Sequence, residues 1–100
     1  MGHNNKLIWC ETLDDTSYFF WCPACRALHK CVVPNHYFNG ELSSPTFAPD
    51  ILIEKYMTRC HFYISCGKIE FLGDCSHNLA RMVVQLPNIP SHILRGAEVR

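Results

Sequence analysis

The apolar residues of this 100-residue chain fall into short runs rather than into the long periodic stretches of helices. The runs are rich in β-branched and aromatic side chains and are bounded by turn-forming residues, which is typical of β-strands. They are YFFW (18–21), KCVV (30–33), ILIE (51–54), HFYIS (61–65), KIEFL (68–72) and MVVQL (82–86). The pattern predicts a mostly β fold, a small antiparallel β domain with at most one short helix. The helix candidate is SHNLAR (76–81), where Asp74 or Ser76 could cap a single turn.

One hairpin can be placed in register from the sequence alone. The CG dipeptide at 66–67 separates two β-type runs, and a glycine in a two-residue connection allows the positive φ of a primed turn. Ser65 is then expected to pair with Lys68. This pairing brings Cys60 and Cys75 close together although they are distant in sequence.

The overall charge excludes some partners. Nine Lys and Arg residues balance nine Asp and Glu residues, so no general positive field attracts nucleic acid or anionic lipid. The first residues lack the apolar run of a signal peptide, and no stretch approaches the roughly 18 apolar residues of a membrane span. We therefore expect a cytoplasmic protein without a membrane partner. Its length predicts one domain over residues 1–100, with flexible ends at 1–6 and 91–100.

The seven cysteines are the strongest chemical signal. In a reducing compartment they are expected to be metal ligands or core residues rather than disulfides. CPAC (22–25), between two β-type runs, is typical of a zinc knuckle, whose tight turn directs two thiolates at one Zn²⁺. A redox centre would need a helix after the CxxC motif, and a β-type run follows instead. Cys10, Cys31 and Cys66 are expected to pack as small apolar core residues.

A tetrahedral zinc site needs two ligands besides Cys22 and Cys25. The candidates lie near the predicted hairpin end or on the strand after the knuckle: Cys60, His61, Cys75, His77 and His29. Consecutive strand residues point to opposite faces, so one of Cys60 and His61 is expected to bind the metal while the other packs elsewhere. The preferred order is Cys60 or His61 with Cys75, then His77, then His29, and the choice stays open.

The metal could have a catalytic or a structural role. Catalytic zinc keeps an open position and needs a general base nearby. Asp74 could act as that base or could orient a ligand histidine. Because thiolate ligands lower the Lewis acidity of the metal, the sequence favours a structural zinc, and no catalytic residue is assigned.

Four segments occur in an order that resembles a known family. They are FWCPACRALHKC, FNGELSSPTFAPDIL, CHFYISCGKIEFLGDCSHNLA and VVQLP. Over residues 19–90 the chain resembles a small phage-encoded zinc-binding family of unknown function, with the pattern CPxC, PTFxPSIL, CHxFxxxGxIxFLxDCTHxLAG and VxLP. It departs from that pattern at Asp50, where serine is usual, at Ser76 and at Arg81. The resemblance implies metal-site roles for the matching cysteines and histidines: Cys22, Cys25, His29, Cys60, His61, Cys75 and His77.

The resemblance also implies a function. It predicts a phage or prophage accessory protein, acting in the host cytoplasm, that binds a host protein or protein complex and inhibits a bacterial defence nuclease in the manner of an anti-CRISPR protein. One alternative is a nucleic-acid-binding zinc ribbon, although the basic residues are scattered along the chain. A second alternative is a small zinc-dependent hydrolase.

Overall fold

The computed structural model describes residues 2–55 and 57–98, so residues 1, 99 and 100 of the ends expected to be flexible lie outside the described part. It contains a four-stranded and a five-stranded antiparallel sheet, each with its strands in sequence order. The first sheet comprises β1 (Gly2–His3), β2 (Ile8–Glu11), β3 (Thr16–Cys22) and β4 (Ala27–Val33). The second comprises β5 (Tyr37–Phe38), β6 (Phe47–Lys55), β7 (Thr58–Ser65), β8 (Lys68–Phe71) and β9 (Val83–Gln85), and is followed by α1 (Ser91–Glu98). The predicted mostly β fold is confirmed.

The strands of the second sheet are amphipathic. In β7 the side chains of Cys60, Phe62 and Ile64 are buried, while the residues between them are more exposed. In β8 Ile69 and Phe71 are buried in the same alternating way. Because strand side chains alternate between the two faces, this sheet has one inner face and one open face.

Aromatic side chains fill the space between the inner faces of the two sheets. Phe20 of β3 contacts Phe62 of β7 edge to face, with 5.7 Å between ring centroids, and stacks on Phe47 of β6 at 6.5 Å. All three rings are almost completely buried. Burying such a side chain contributes about 1.5–3 kcal/mol, so these contacts are a main source of attraction between the sheets.

The β7–β8 hairpin has the predicted register, since Ser65 pairs with Lys68. Cys66 and Gly67 have φ values of 51° and 76°, as a turn of type I′ requires. The thiol of Cys66 is exposed at this turn, so the expectation that it packs in the core is wrong.

The short helix lies elsewhere than predicted. Residues 76–81 form turns, because Arg81 has a φ of 69° and its amide donates a hydrogen bond to the carbonyl of Phe71, which holds this segment against β8. The helix is α1, in the tail that the sequence predicted to be flexible, and it begins directly after Pro90, a residue that suits a helix start. In the described part of the chain, no helix has the length and apolar character to cross a lipid bilayer.

We expect Gly67→Ala to lower the free energy of unfolding by about 1 kcal/mol or more, because alanine is strained at this positive φ. A Cβ atom there would lie 3.4 Å from Ser44, an ordinary contact, so the loss comes from the backbone. Gly96→Ala in α1 is the control, since its Cβ would meet nothing within 4 Å and alanine favours helix. Urea unfolding measures both variants, and equal losses would contradict the assigned turn.

Candidate functional site

The CPAC segment forms the turn between β3 and β4. Cys22 ends β3, and the amide of Arg26 donates a hydrogen bond of 2.8 Å to its carbonyl, which closes the turn. The amide of Cys25 donates to the Sγ atom of Cys22 at 3.4 Å. Backbone amides directed at a cysteine sulfur are typical of knuckles that bind a metal through thiolates. The turn therefore has the geometry that the sequence predicted for it.

Two further side chains complete a cluster with this turn. His29 of β4 and Cys60 of β7 are both buried on the inner faces of their sheets. The ring of His29 stacks on Phe62 at a centroid distance of 5.7 Å, which fixes its orientation. The candidate ligand atoms of Cys22, Cys25, His29 and Cys60 all lie within 4.8 Å of one another. The cluster thus joins the first sheet to the second.

Two features of the cluster fit a metal ion. They are the distance between two of its sulfurs and a histidine nitrogen without a hydrogen-bond partner. The Sγ atoms of Cys22 and Cys60 are 3.9 Å apart. Two thiolates bound to one tetrahedral ion at about 2.3 Å would be about 3.8 Å apart. The Nε2 atom of His29 is buried and has no hydrogen-bond partner, so it is available as a ligand. These four residues can hold a metal ion.

Cys22 differs in acidity from the other thiols of the cluster, whose pKa values are raised. The neighbouring Cys60 thiol, and to a lesser degree His29, lowers the pKa of Cys22 to about 4. The pKa of Cys60 is raised, chiefly by its contact with Cys22 and then by burial. Burial alone raises the pKa of Cys31 to about 12, as befits the core position predicted for it. Because only thiolates bind a metal ion, a cation at the cluster would displace the protons of its thiols.

The remaining predicted ligands have other contacts. The Sγ atom of Cys75 accepts a hydrogen bond from the amide of His61 at 3.2 Å and donates to its carbonyl at 3.1 Å. The Nδ1 atom of His77 accepts from the amide of Leu79, and its ring packs edge-on against Phe71. The structure therefore groups Cys22, Cys25 and Cys60 with His29, and it gives His61, Cys75 and His77 neighbours outside the four-residue cluster.

A second constellation lies on the open face of the second sheet. His61 is next to Cys60 on β7 and points to the opposite face. Its Nδ1 atom lies 3.0 Å and 3.1 Å from the two carboxylate oxygens of Asp74, which follows β8. Its Nε2 atom contacts the carboxylate of Asp50. Asp50 lies in β6 where the pairing with β7 shifts register between Phe47 and Ile51, a bulge of the kind that redirects a side chain.

The two carboxylates dominate the electrostatics of this constellation. Hydrogen bonding to Asp50, and then to Asp74, raises the pKa of His61. The same contacts lower the pKa values of Asp50 and Asp74. Arg59 adds a positive charge, since its Nη1 atom lies 3.3 Å from Asp74. All of these side chains are partly exposed, so solvent screens their interactions.

The arrangement of His61 and Asp74 has a recognisable chemical use. A carboxylate on Nδ1 fixes the tautomer and orientation of an imidazole whose Nε2 atom then accepts a proton from a nucleophile. The sequence suggested Asp74 as an orienting group or base, but only beside a metal. It gave no reason to place Asp50 against His61, because that contact depends on the bulge in β6. The sequence did contain a signal that separates the two sites, because consecutive strand residues such as Cys60 and His61 point to opposite faces.

A cavity of about 680 Å³ lies beside the four-residue cluster. Cys25 and Cys60 contribute to its wall together with the basic side chains of Lys30 and Lys55. His61 is not among its lining residues. The cavity therefore adjoins the four-residue cluster, whereas His61 and its carboxylates lie on the open face of the second sheet.

Comparisons with known proteins relate this geometry to a family. Residues 2–72 match a family model described as the bacterial ubiquitination-like system serine protease, BubE. The matched segment includes the four-residue cluster, Asp50 and His61. No curated protein matches the chain, and no solved structure matches it.

The family match overturns the expected function. It names a serine protease of a bacterial system, so the prediction of a phage accessory protein that inhibits a defence nuclease is wrong. The nucleic-acid-binding zinc ribbon and the zinc-dependent hydrolase fit the match no better. Since the match spans well over half of the 100 residues, the chain belongs to BubE, the family of serine proteases of bacterial ubiquitination-like systems.

Proposed function

We propose that this domain engages a polypeptide of a bacterial ubiquitination-like system on the open face of its second sheet. The observation that carries the proposal is the pairing of His61 with Asp74 at 3.0 Å, in a chain whose family is described as a serine protease. In such enzymes the paired imidazole stands beside the scissile bond of the bound polypeptide. His61 therefore marks where the partner chain would lie.

The surface around His61 suits a protein partner. Leu52 pairs with His61 across β6 and β7, and Tyr63 lies two residues further along β7 on the same face. Their exposed fractions are 45% and 43%, which is high for large apolar side chains within a sheet. Val83 of β9 extends the same face beyond Glu70 and is also exposed. Exposed aromatic and aliphatic side chains grouped beside a reactive residue are typical of recognition surfaces.

We expect Leu52→Asp and Tyr63→Asp each to weaken binding to the ubiquitin-like protein of such a system by at least about tenfold, as for central interface residues. Leu13→Asp is the matched control, because Leu13 is fully exposed in the turn between β2 and β3, in the other sheet. Isothermal titration calorimetry measures the affinities. Equal affinities of all three variants and the original protein would contradict binding at this face.

We further propose that the metal held by the four-residue cluster is zinc in a structural role. Three thiolates and one imidazole form a ligand set that zinc commonly takes, and four protein ligands leave no open position for substrate. Cys22 and His29 lie in strands of the first sheet and Cys25 in the turn between these strands, whereas Cys60 lies in the second sheet. The ion would therefore cross-link the two sheets.

Mass spectrometry of the purified protein is expected to find one zinc ion per chain, and chelation is expected to unfold the domain. Binding of structural zinc is worth about 10 kcal/mol or more, which is comparable with the whole stability of about 5–15 kcal/mol expected for this length. Thermal unfolding with and without chelator measures the effect. A zinc-free protein with an unchanged melting temperature would contradict the structural role.

Single cysteine variants test the ligand set separately. Cys60→Ala is expected to lose zinc, whereas Cys75→Ala is expected to retain it because its thiol contacts the backbone of His61. Cys66→Ala is a second control, since this thiol is exposed at the β7–β8 turn. Zinc content by elemental analysis decides between them, and loss of zinc from Cys75→Ala would show a different ligand set.

A further inference from the structure

We infer that Asp50 occupies the place of the nucleophile in this chain, so that the domain holds its polypeptide partner without serine acylation, and that a hydroxyl at position 50 would restore that chemistry. The inference rests on the proposed function. It is carried by the contacts of one imidazole ring, in which each nitrogen of His61 meets a different carboxylate.

Asp74 and Asp50 contact different nitrogens of the His61 ring, and these two nitrogens have different roles in a catalytic triad. Asp74 contacts Nδ1, the nitrogen that the orienting carboxylate contacts in a triad. Asp50 contacts Nε2, the nitrogen that takes the proton of the attacking hydroxyl. Since an ionised carboxylate has no proton to give, Asp50 cannot be activated by His61 in the way that a serine is.

The hydroxyls of Ser76 and Ser65, near this face, contact groups other than the His61 ring. Ser76 bonds through Oγ to the amide and carbonyl of Arg59. The hydroxyl of Ser65 faces the sulfur of Cys66. Within residues 2–55 and 57–98, the side chains that hydrogen-bond to the His61 ring are those of Asp50 and Asp74. The Nε2 side of the ring is therefore closed by a carboxylate.

The site is otherwise arranged for a small reagent or a peptide to reach it. The side chain of Asp50 is 40% exposed and that of His61 is 20% exposed. In Asp50→Ser the hydroxyl oxygen would stand near the present Cγ position, one bond farther from Nε2. Nucleophile and base distances in free enzymes are often looser than in their complexes, so this position remains within reach.

The test uses a fluorophosphonate, a reagent for histidine-activated serines, on the zinc-loaded 100-residue chain. In Asp50→Ser the hydroxyl oxygen attacks phosphorus, the O–P bond forms, the P–F bond breaks, fluoride leaves, and His61 takes the hydroxyl proton. We expect labelling at position 50, by peptide mass spectrometry, at least about 100-fold faster than any labelling of the original protein, which is the contribution typical of a general base.

Three controls make the outcome decisive. The double variant Asp50→Ser with His61→Ala is expected to lose the gain in labelling. Asp14→Ser places a hydroxyl at an exposed aspartate in the β2–β3 turn, and it is expected to stay unlabelled. Asp50→Thr provides a second hydroxyl variant suited to a strand, should Asp50→Ser not fold. Melting temperature and zinc content establish that each variant is folded.

Two results would overturn the inference. Labelling of the original protein on any serine at a rate equal to that of Asp50→Ser would show that another hydroxyl serves as nucleophile. Absence of labelling in folded, zinc-loaded Asp50→Ser and Asp50→Thr would show that position 50 is not the nucleophile's place. Neither result depends on Leu52 or Tyr63, so failure here is distinguishable from failure of the proposed binding face.

Discussion

The contact between Cys22 and Cys60 is the constraint on which the rest of the structure depends. It joins the end of a strand in the first sheet to the middle of a strand in the second, with 3.9 Å between sulfurs. A chain of this length buries only about two thirds of its surface, so its core alone leaves a small margin of stability. A metal ion at this junction would hold the aromatic layer of Phe20 and Phe62 closed. The four-residue cluster thus serves first to hold the two sheets of the fold together, whatever function the domain has.

The same strand then provides the second site. Because Cys60 and His61 are consecutive in β7, fixing the cysteine at the sheet junction also fixes the direction of the imidazole on the other face. Cys75 strengthens this link, since its thiol bonds to both backbone groups of His61. The four-residue cluster and His61 share neither ligands nor a cavity. They are connected through β7, whereas Asp50, which contacts the His61 ring, lies in β6.

Much of this arrangement could be predicted from the sequence. The remaining features could not be predicted, and each has a physical reason. The β runs, the turn at 66–67 and the knuckle are local patterns, and the structure contains all three. The choice of His29 depended on how the two sheets face each other, which no local pattern contains. The contact of Asp50 with His61 depended on a bulge, although the resemblance to the phage-encoded family did mark Asp50 as a departure from the usual serine. The helix at 91–98 was missed because a short segment after a proline has little periodic signal.

The path of the chain through the sheets has a kinetic consequence. Every pair of neighbouring strands is consecutive in sequence, so strand pairing closes loops no longer than the one at 72–82, which favours early formation of each sheet. Bringing together Cys22 and Cys60, which are 38 residues apart, is the long-range step. A contact that forms late in folding contributes mainly to the barrier against unfolding. The metal junction is therefore expected to determine how long the folded domain persists more than how fast it forms.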